Sequence, residues 1–507
     1  MGCLNDIYFW RQCIVLFANC MLSVGTGFML SFPAVLNPDI LSPNGTIHVT
    51  SDQASWIAGS NGFSGVFGFI LVPHIMQVYG RKIVHIGLNC FYVLGFLILA
   101  LAHNVYCLYA ARIMQGIPMC GVFITTITVG EYSHPKRRGY FITIKKTAVA
   151  IGALMCHSLA LCWTWKQIAA FAVIPNTLAI LFTLMWPESP SFLVFNEKYD
   201  ECCKSHIWLF GDSLQSQRNL EELVSNQMEM RKQSKEKNNL KNEIRKLLKK
   251  DFIKPFIIVS LLTMITDASG RFYMLAYIVQ ILTDVTKNKS IAAYCTIGSD
   301  VLTFTALLIS CFVIRCCKRR TLLFVTGTIC AFLMCLTSLI TFLKSHFNIG
   351  GSVYWWLTPL VILLNVFTIN VGIVPAGFTI LSEIFPLEHK GIGTAATGTV
   401  FAILYSIVMK CTPLMMEKTG VEGTFGIYAI HVIVGLLILY FILNETKDKT
   451  LQQIENEIKG IKHPEQFKNT SHLAGAAEIV SAAHSTIREQ ESGISIDKST
   501  ENSLYSR

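Results

Sequence analysis

Charge is what this chain has least of. Only 15% of its 507 residues are Asp, Glu, Lys or Arg, against about 25% in soluble globular domains. A chain kept in solution by a charged shell is excluded. Acids are scarcer than bases, 32 against 42, which leaves a net charge of +10. The basic residues sit in short loops beside apolar runs, so they do not read as a nucleic-acid surface. The 17 cysteines show neither zinc spacing nor a secreted disulfide framework. Most, such as Cys90, Cys156 and Cys330, lie inside apolar runs as small hydrophobes. Cys202-Cys203 and Cys316-Cys317 stand near membrane ends, where packing is the simpler expectation and palmitoylation the other. The glycine-rich stretch 59–68 lacks the lysine of a phosphate loop. His74, His85, His157 and His431 have no partners at metal-ligand spacing. No enzyme chemistry, metal or cofactor is therefore expected.

Long apolar runs are what the chain has instead. It is 52% hydrophobic, with mean hydropathy +0.48. Runs of about twenty apolar residues suffice to cross a ~30 Å hydrocarbon layer. Twelve spans are expected, near 13–36, 55–78, 83–103, 106–128, 140–163, 167–186, 256–283, 291–314, 321–343, 354–381, 392–415 and 424–443. The first is too long for a signal-peptide core and reads as a retained span. Gly2 is followed by Asp6 where myristoylation wants Ser or Thr, so that anchor is not expected.

Basic residues decide orientation. Arg81-Lys82, 136–138, 231–254, 315–320 and Lys390 alternate with loops poor in cations. The positive-inside rule places those loops and both termini in the cytoplasm. The glycosylation sequons at Asn44 and Asn288 then fall outside, and the one at Asn469 falls inside and should be silent. The polar stretch 187–254 reads as short helices, at 196–210 and 217–250, linking two bundles. A separate folded domain is not expected there, because apolar content is low. The tail beyond about 460 is rich in Ser, Glu and Ala and reads as disordered.

The chain says much the same thing twice. GEYSHPKRRG (130–139) and SEIFPLEHKG (382–391) each follow an apolar segment. Each sets a carboxylate, Glu131 or Glu383, seven positions before a cation, Arg138 or Lys390, and then a glycine. YGRK (79–82) is echoed by KRR (318–320). An internal repeat in a polytopic membrane protein suggests a transporter whose halves rock about a central site.

These motifs carry a resemblance. With Arg112 and Gly116 in span four, PESPSFLV (187–194) and NETKDKTLQQIE (444–455), they occur in the right order at the right membrane edges over roughly 10–460. The chain resembles the sugar porter family of the major facilitator superfamily, and within it the insect facilitated trehalose transporters, which Lys410 also matches. The resemblance implies an all-α membrane protein of twelve transmembrane helices in two pseudo-symmetric six-helix bundles. The bundles would be 1–186 and 255–443, joined by a cytoplasmic linker, 187–254, and followed by a cytoplasmic tail, 444–507. It further implies a plasma-membrane facilitator of trehalose or glucose class sugars, with no cofactor and no obligate protein partner. A cytoplasmic gate is implied at Arg81, Arg112, Glu131, Arg138, Glu188, Arg319, Glu383, Lys390 and Glu445, with ion pairs between the halves holding the inside closed. The second-half set is weaker, since Arg315, Lys318 and Lys390 stand where the family has Asp, Gly and Arg.

The sugar site departs from the family. Aligned on Ser269-Gly270, the pattern QQLSGIN reads TDASGRF, so two glutamines become Thr266 and Asp267 and an asparagine becomes Phe272. Tyr277 and Gln280 keep their types, Lys146 replaces a span-five glutamine, and Thr303 stands where many members have Asn. GPIPW reads VPAGF, keeping Pro375 and exchanging tryptophan for Phe378, and a span-eleven asparagine falls on Phe401. These ten positions other than Phe272 and Ser269-Gly270 form the expected lining: Lys146, Thr266, Asp267, Arg271, Tyr277, Gln280, Thr303, Pro375, Phe378 and Phe401. Ionisable residues inside spans usually face a cavity or a partner. Asp267 and Arg271 could pair within one helix, and Lys145 and Lys146 could snorkel. A charged or polar solute, with proton coupling through Asp267, is the alternative carrier reading. Span one, 13–36, holds no acid, which favours facilitated diffusion. A non-transporting nutrient sensor is the reading from another class.

Overall fold

With no water in a hydrocarbon layer, the backbone must satisfy itself, and helix is how a single segment does so. The computed structural model describes residues 7–43, 45–235, 250–347, 352–385 and 390–447; for some of these, Lys136, Ser382 and Lys390 among them, only the backbone is described. Among the described residues every regular element is helical. Six helices open the chain: α1 (Ile7–Ile40), α2 (Ser51–Tyr79), α3 (Arg81–Ala100), α4 (Val105–Gly116), α5 (Gly121–Glu131) and α6 (Pro135–Leu159). Then come α7 (Trp165–Leu184) and the short helices α8 (Pro190–Phe195), α9 (Tyr199–Phe210) and α10 (Leu214–Lys235). The rest are α11 (Lys250–Ala268), α12 (Tyr273–Thr286), α13 (Lys289–Cys316), α14 (Arg319–Phe347), α15 (Ser352–Thr368), α16 (Val374–Ile384) and α17 (Lys390–Ile442).

Eleven stretches are long and apolar enough to cross a membrane by length and composition. Polar residues mark their ends. Thr50 and Gln53 close a reciprocal cap on α2, Gln53 N donating to Thr50 Oγ1 (3.2 Å) and Thr50 N to Gln53 Oε1 (3.0 Å). Asn104 caps α4 and Asn288 caps α13 through their side-chain oxygens. α1 runs on to Ile40 and so includes Asp39, whose carboxylate accepts from the Trp165 indole at 2.9 Å.

Three breaks shape the helices around the centre. α4 joins α5 through a 3₁₀ turn at Ile117–Cys120 that contains Pro118, and α15 joins α16 through a π turn at Ile369–Ile373. Between α11 and α12 the chain turns at Gly270, where φ is +110°, a conformation a side chain would strain. The four-residue spacing of Asp267 and Arg271 therefore spans a turn and not a helix. The intrahelical pair that spacing suggested is not among the ion pairs of the described residues. α17 is also interrupted, at Gly420 (φ 69°, ψ −178°).

Early helices pack on one another, α1 on α6 and α7 and α3 on α4 and α7. So do late ones, α17 on α11 and α14 and α13 on α12 and α15. The most extensive pairings joining early to late helices are α2 with α17, α6 with α13 and α1 with α12. The α1–α6 crossing is backbone to backbone. A Cβ on Gly27 would meet Ala153 N at 2.9 Å as well as the Val149 carbonyl, and a Cβ on Gly152 would meet the Val24 carbonyl. Small residues at such crossings let helices approach where lipid offers no hydrophobic drive.

The linker is more than connecting chain. Phe192, Leu193, Val194, Cys202, Cys203 and Leu220 form a small buried cluster of their own. Beside it α9 docks on α1: Arg11 donates to the Trp208 carbonyl (3.0 Å) and Gln12 to the Leu209 carbonyl (3.2 Å), with Leu209 buried against Val15 and Ala18. The few apolar residues here are thus gathered on one side, which composition does not reveal. Helical patterning expected at 196–210 and 217–250 is met by α9 and by α10 up to residue 235; residues 236–249 lie outside the described ones. Burial pushes the Cys202 thiol up to about 12 and the Cys203 thiol up to about 11, while Cys316 and Cys317 are exposed.

Two expectations follow. Gly152→Ala and Gly152→Val should each destabilise by about 1–3 kcal/mol through overpacking, read as loss of surface-expressed protein relative to the unsubstituted chain; expression equal to that chain would show that the crossing tolerates side chains. Maleimide at pH 8 should modify Cys316 and Cys317 and spare Cys202 and Cys203, checked by mass spectrometry of native protein.

Candidate functional site

One arrangement of charges is built twice. In the first copy the Arg81 guanidinium grips Glu131 with two parallel bonds, Nε to Oε2 at 2.8 Å and the terminal nitrogen to Oε1 at 2.7 Å. Ser189 Oγ also donates to Glu131 (2.5 Å). Glu188 accepts from the backbone N–H of Arg81 (2.9 Å) and Lys82 (3.1 Å), the open amides of the α3 N-terminus. A carboxylate suits that end because the helix dipole is positive there. Lys82 Nζ completes the set by donating to the Leu184 and Trp186 carbonyls just past α7.

The second copy repeats it part for part. Glu445 accepts from the N–H of Arg319 (3.0 Å) and Arg320 (3.1 Å) at the start of α14. Thr446 Oγ1 donates to Glu383 (2.7 Å), as Ser189 does to Glu131. Arg320 donates to the Tyr440 carbonyl near the end of α17 (2.8 Å), as Lys82 does past α7. The Arg319–Glu383 contact is looser, 3.7 Å, because Arg319 turns a terminal nitrogen to the Ile314 carbonyl (3.0 Å).

Two expectations about this cluster differ from what this conformation shows. Each ion pair lies within one half of the chain; among the described residues none of the motif charges pairs across the halves. The reason is local: each Arg begins the helix beside its own Glu, and each second acid caps that same helix. Arg112 does not belong here at all. It precedes Glu131 by nineteen residues, about 28 Å of helix. It is fully buried, donating to Met29 O (3.0 Å) and Gln115 Oε1 (3.0 Å). Arg138 is exposed, and the Lys390 side chain lies outside the described residues.

Bonds across the halves occur elsewhere. Lys410 on α17 forms an ion pair with the Asp52 carboxylate at the start of α2, and its ammonium donates to Ser55 Oγ (2.8 Å) 4.7 Å from the Trp56 ring centre. His157 Nδ1 near the end of α6 lies 2.6 Å from Asp300 Oδ2 on α13, both buried. Asn61 Nδ2 reaches the Tyr405 hydroxyl at 3.4 Å. Sequence reading left His157 without a partner because 143 residues separate it from Asp300.

Between these regions lies a small cavity. Thr266, Asp267, Phe378 and Phe401 of the expected lining do border it, joined by Phe123, Phe272 and Thr397. The space open to the centre of a water-sized sphere is about 40 Å³, room for about three waters. A sugar requires the helices to part from this conformation. Phe123 on α5 meets Phe378 (5.9 Å, tilted) and Phe401 (6.4 Å, edge-on) across the halves. Asp267 is buried with both carboxylate oxygens unbonded. Lys146 reaches the Phe378 ring from α6, at 5.4 Å from its centre.

The remaining expected residues fall outside this lining. The Tyr277 hydroxyl is spent on the Met409 carbonyl (2.7 Å). Thr303 accepts from Asn370 (3.4 Å). Arg271 lies against Phe272, 5.8 Å to its ring centre, and is attracted electrostatically to Asp300. Gln280 and Pro375 are half-buried. Lys145 does not snorkel: its ammonium is held by the Val122 carbonyl (2.7 Å) and Thr126 Oγ1 (3.1 Å) between α5 and α6. Asn288 is exposed as the α13 cap, and Asn44 lies outside the described residues.

The family model described as Sugar (and other) transporter matches residues 13–458. Facilitated trehalose transporter Tret1 of Bombyx mori is 24% identical over 460 residues, which cover 90% of this chain and 88% of that one. Tret1 of Polypedilum vanderplanki is 26% identical, covering 90% of each. The chain spans half, 50%, of the longer Tret1 of Drosophila virilis, at 25% identity. Among solved structures, the inward open conformation of the xylose transporter XylE from E. coli superposes with a TM-score of 0.67 at 16% identity, over 89% of this chain and 99% of that one.

The unequal clusters make a prediction. Arg81→Lys loses a bidentate pair of the charge-assisted class, so uptake by the variant should fall by about tenfold at equal surface level. Arg319→Lys loses a 3.7 Å contact and should change uptake by less than about threefold. Equal losses, measured as initial rates, would show that the tighter geometry of the first copy is immaterial.

Proposed function

The chain belongs to the sugar (and other) transporter family, and we propose that it carries a sugar of the trehalose or glucose class across the plasma membrane by facilitated diffusion. Its two halves would expose the central cavity to each side in turn. The observation that carries this reading is the charge cluster built twice, once in each half, around a small space bordered by both. Two equivalent rigid ends flanking one cavity are what a rocking carrier needs. The relatives named for trehalose and xylose transport supply the solute class.

We count twelve spans in two bundles, taking the parts of α17 on either side of Gly420 as two. The bundles are 1–186 and 255–443, with the linker helices and the residues after 443 as separate units. The repeated basic clusters would face the cytoplasm, with both termini on that side, and the exposed Asn288 would lie outside as a glycosylation site. On this orientation Asp52–Lys410 and His157–Asp300 lie toward the outer face. The outer side is then held shut by bonds across the halves, while the charges at the inner edge bond only within them. Opening outward must break both outer pairs. Glu131, Arg81, Glu188 and their second-half counterparts act as braces that keep each half rigid while it moves. The acid nearest the outer end of α1, Asp39, is tied to Trp165, so it supplies no free proton carrier at mid-membrane.

Cells expressing the chain, with surface level controlled, should take up labelled trehalose or glucose saturably and equally at two external pH values. Absence of uptake from protein that reaches the surface would reject sugar transport. Uptake that rises with external acidity would reject facilitated diffusion.

A further inference from the structure

The cavity wall has an unusual chemistry: the hydroxyls among its described lining side chains accept hydrogen bonds from the space and donate none to it. Its hydroxyls are already spent as donors, each on the carbonyl one turn back in its own helix. Thr263 donates to Val259 O (2.9 Å), Thr266 to Leu262 O (2.8 Å) and Thr397 to Gly393 O (2.8 Å). What they turn to the space is lone pairs. Asp267 adds two carboxylate oxygens that no group in the described residues bonds. The nearby amides that could have donated do so elsewhere, Asn365 to Ser269 O (3.3 Å) and Asn370 to Val366 O (2.7 Å). Phe123, Phe272, Phe378 and Phe401 supply much of the remaining lining, and an aromatic face, where it meets a cation, is negative.

A neutral sugar fits this wall poorly. Each hydroxyl both donates and accepts, and its ring oxygen only accepts, so a wall without donors leaves those acceptors unpaired. A phosphate or carboxylate fits worse. A protonated amine fits better: it is donor-only, it brings the counter-charge that lets the buried Asp267 ionise, and its flank meets the rings. We propose that the preferred solute is a sugar bearing a protonated primary amine, anchored by Asp267. This rests on the cavity being the transport site, and it narrows the solute within the sugar class. Lys146 shows that one of these rings already holds an ammonium, at 5.4 Å from the Phe378 centre. Lys146 does not neutralise Asp267, whose oxygens remain unbonded.

The test is uptake by the full chain in proteoliposomes, with labelled glucosamine and labelled glucose as solutes. N-acetylglucosamine serves as a competitor of similar shape without the charge. Glucosamine should be taken up with about tenfold higher kcat/KM than glucose, and N-acetylglucosamine should compete no better than glucose, the scale of one charge-assisted bond. Asp267→Asn should erase that preference while Asp267→Glu retains part of it. Lys146→Gln removes a like charge near Phe378 and should strengthen glucosamine uptake. Glucose equal to or above glucosamine, or a preference unchanged in Asp267→Asn, overturns the inference and leaves sugar transport standing. Weaker glucosamine uptake by Lys146→Gln also overturns it, by assigning Lys146 as the carboxylate's partner. If neither solute moves, the inference and the sugar-transport reading fall together.

Discussion

The constraint on which the rest depends is that a hydrocarbon layer leaves no polar group to water. Backbone amides are met by helix, and hydroxyls by the carbonyl one turn back, as in Ser23 to Asn19 O and Ser31 to Gly27 O. Charges are either sent to the helix ends or paired where they stand. Lys145 is wrapped by a carbonyl and a hydroxyl, Arg112 by Met29 and Gln115, and Asp300 by His157. Against that background an acid left without a bond is informative. Asp267 is buried, borders a cavity and has no hydrogen-bond partner among the described residues.

The same constraint explains the helix-end clusters. A carboxylate at the N-terminus of α3 or α14 meets open amides and a positive dipole together. Glu188 and Glu445 use that twice over, and the arginine that begins each helix is then positioned for Glu131 or Glu383. In this conformation the clusters thus tie together elements of one half, and among the described residues none bridges to the other. Across the halves the contacts are of two kinds: isolated polar pairs such as Lys410–Asp52, and ring edges such as Phe123 against Phe401. Both kinds separate without leaving a large buried network broken, which suits an interface that must open.

Much of this was legible along the chain. Apolar run length gave the spans, and ten of the twelve expected coincide with candidate spans in number and place, the last two lying in one stretch bent at Gly420. The repeat pointed to Arg81 and Glu131 with Arg319 and Glu383, the resemblance added Glu188 and Glu445, and these six assemble as two copies. The expected lining was less legible. Thr266, Asp267, Phe378 and Phe401 share the cavity, but Tyr277 and Thr303 spend their hydroxyls on other helices. Alignment to a motif assigns a position on a helix, and it cannot say what a neighbouring helix offers that side chain.

Local sequence by itself determined the helices and their ends, because those depend on residues within a few turns, whereas the acids at the α3 and α14 N-termini come from 107 and 126 residues away. Tertiary structure alone decided three things. It set the partner of each buried charge, it placed the ion pairs within the halves, and it turned the chain at Gly270 so that Asp267 and Arg271 part. The physical reason is range. A cap or an apolar run is settled over a few ångströms of its own chain, whereas His157 finds Asp300 across 143 residues only once α6 lies on α13.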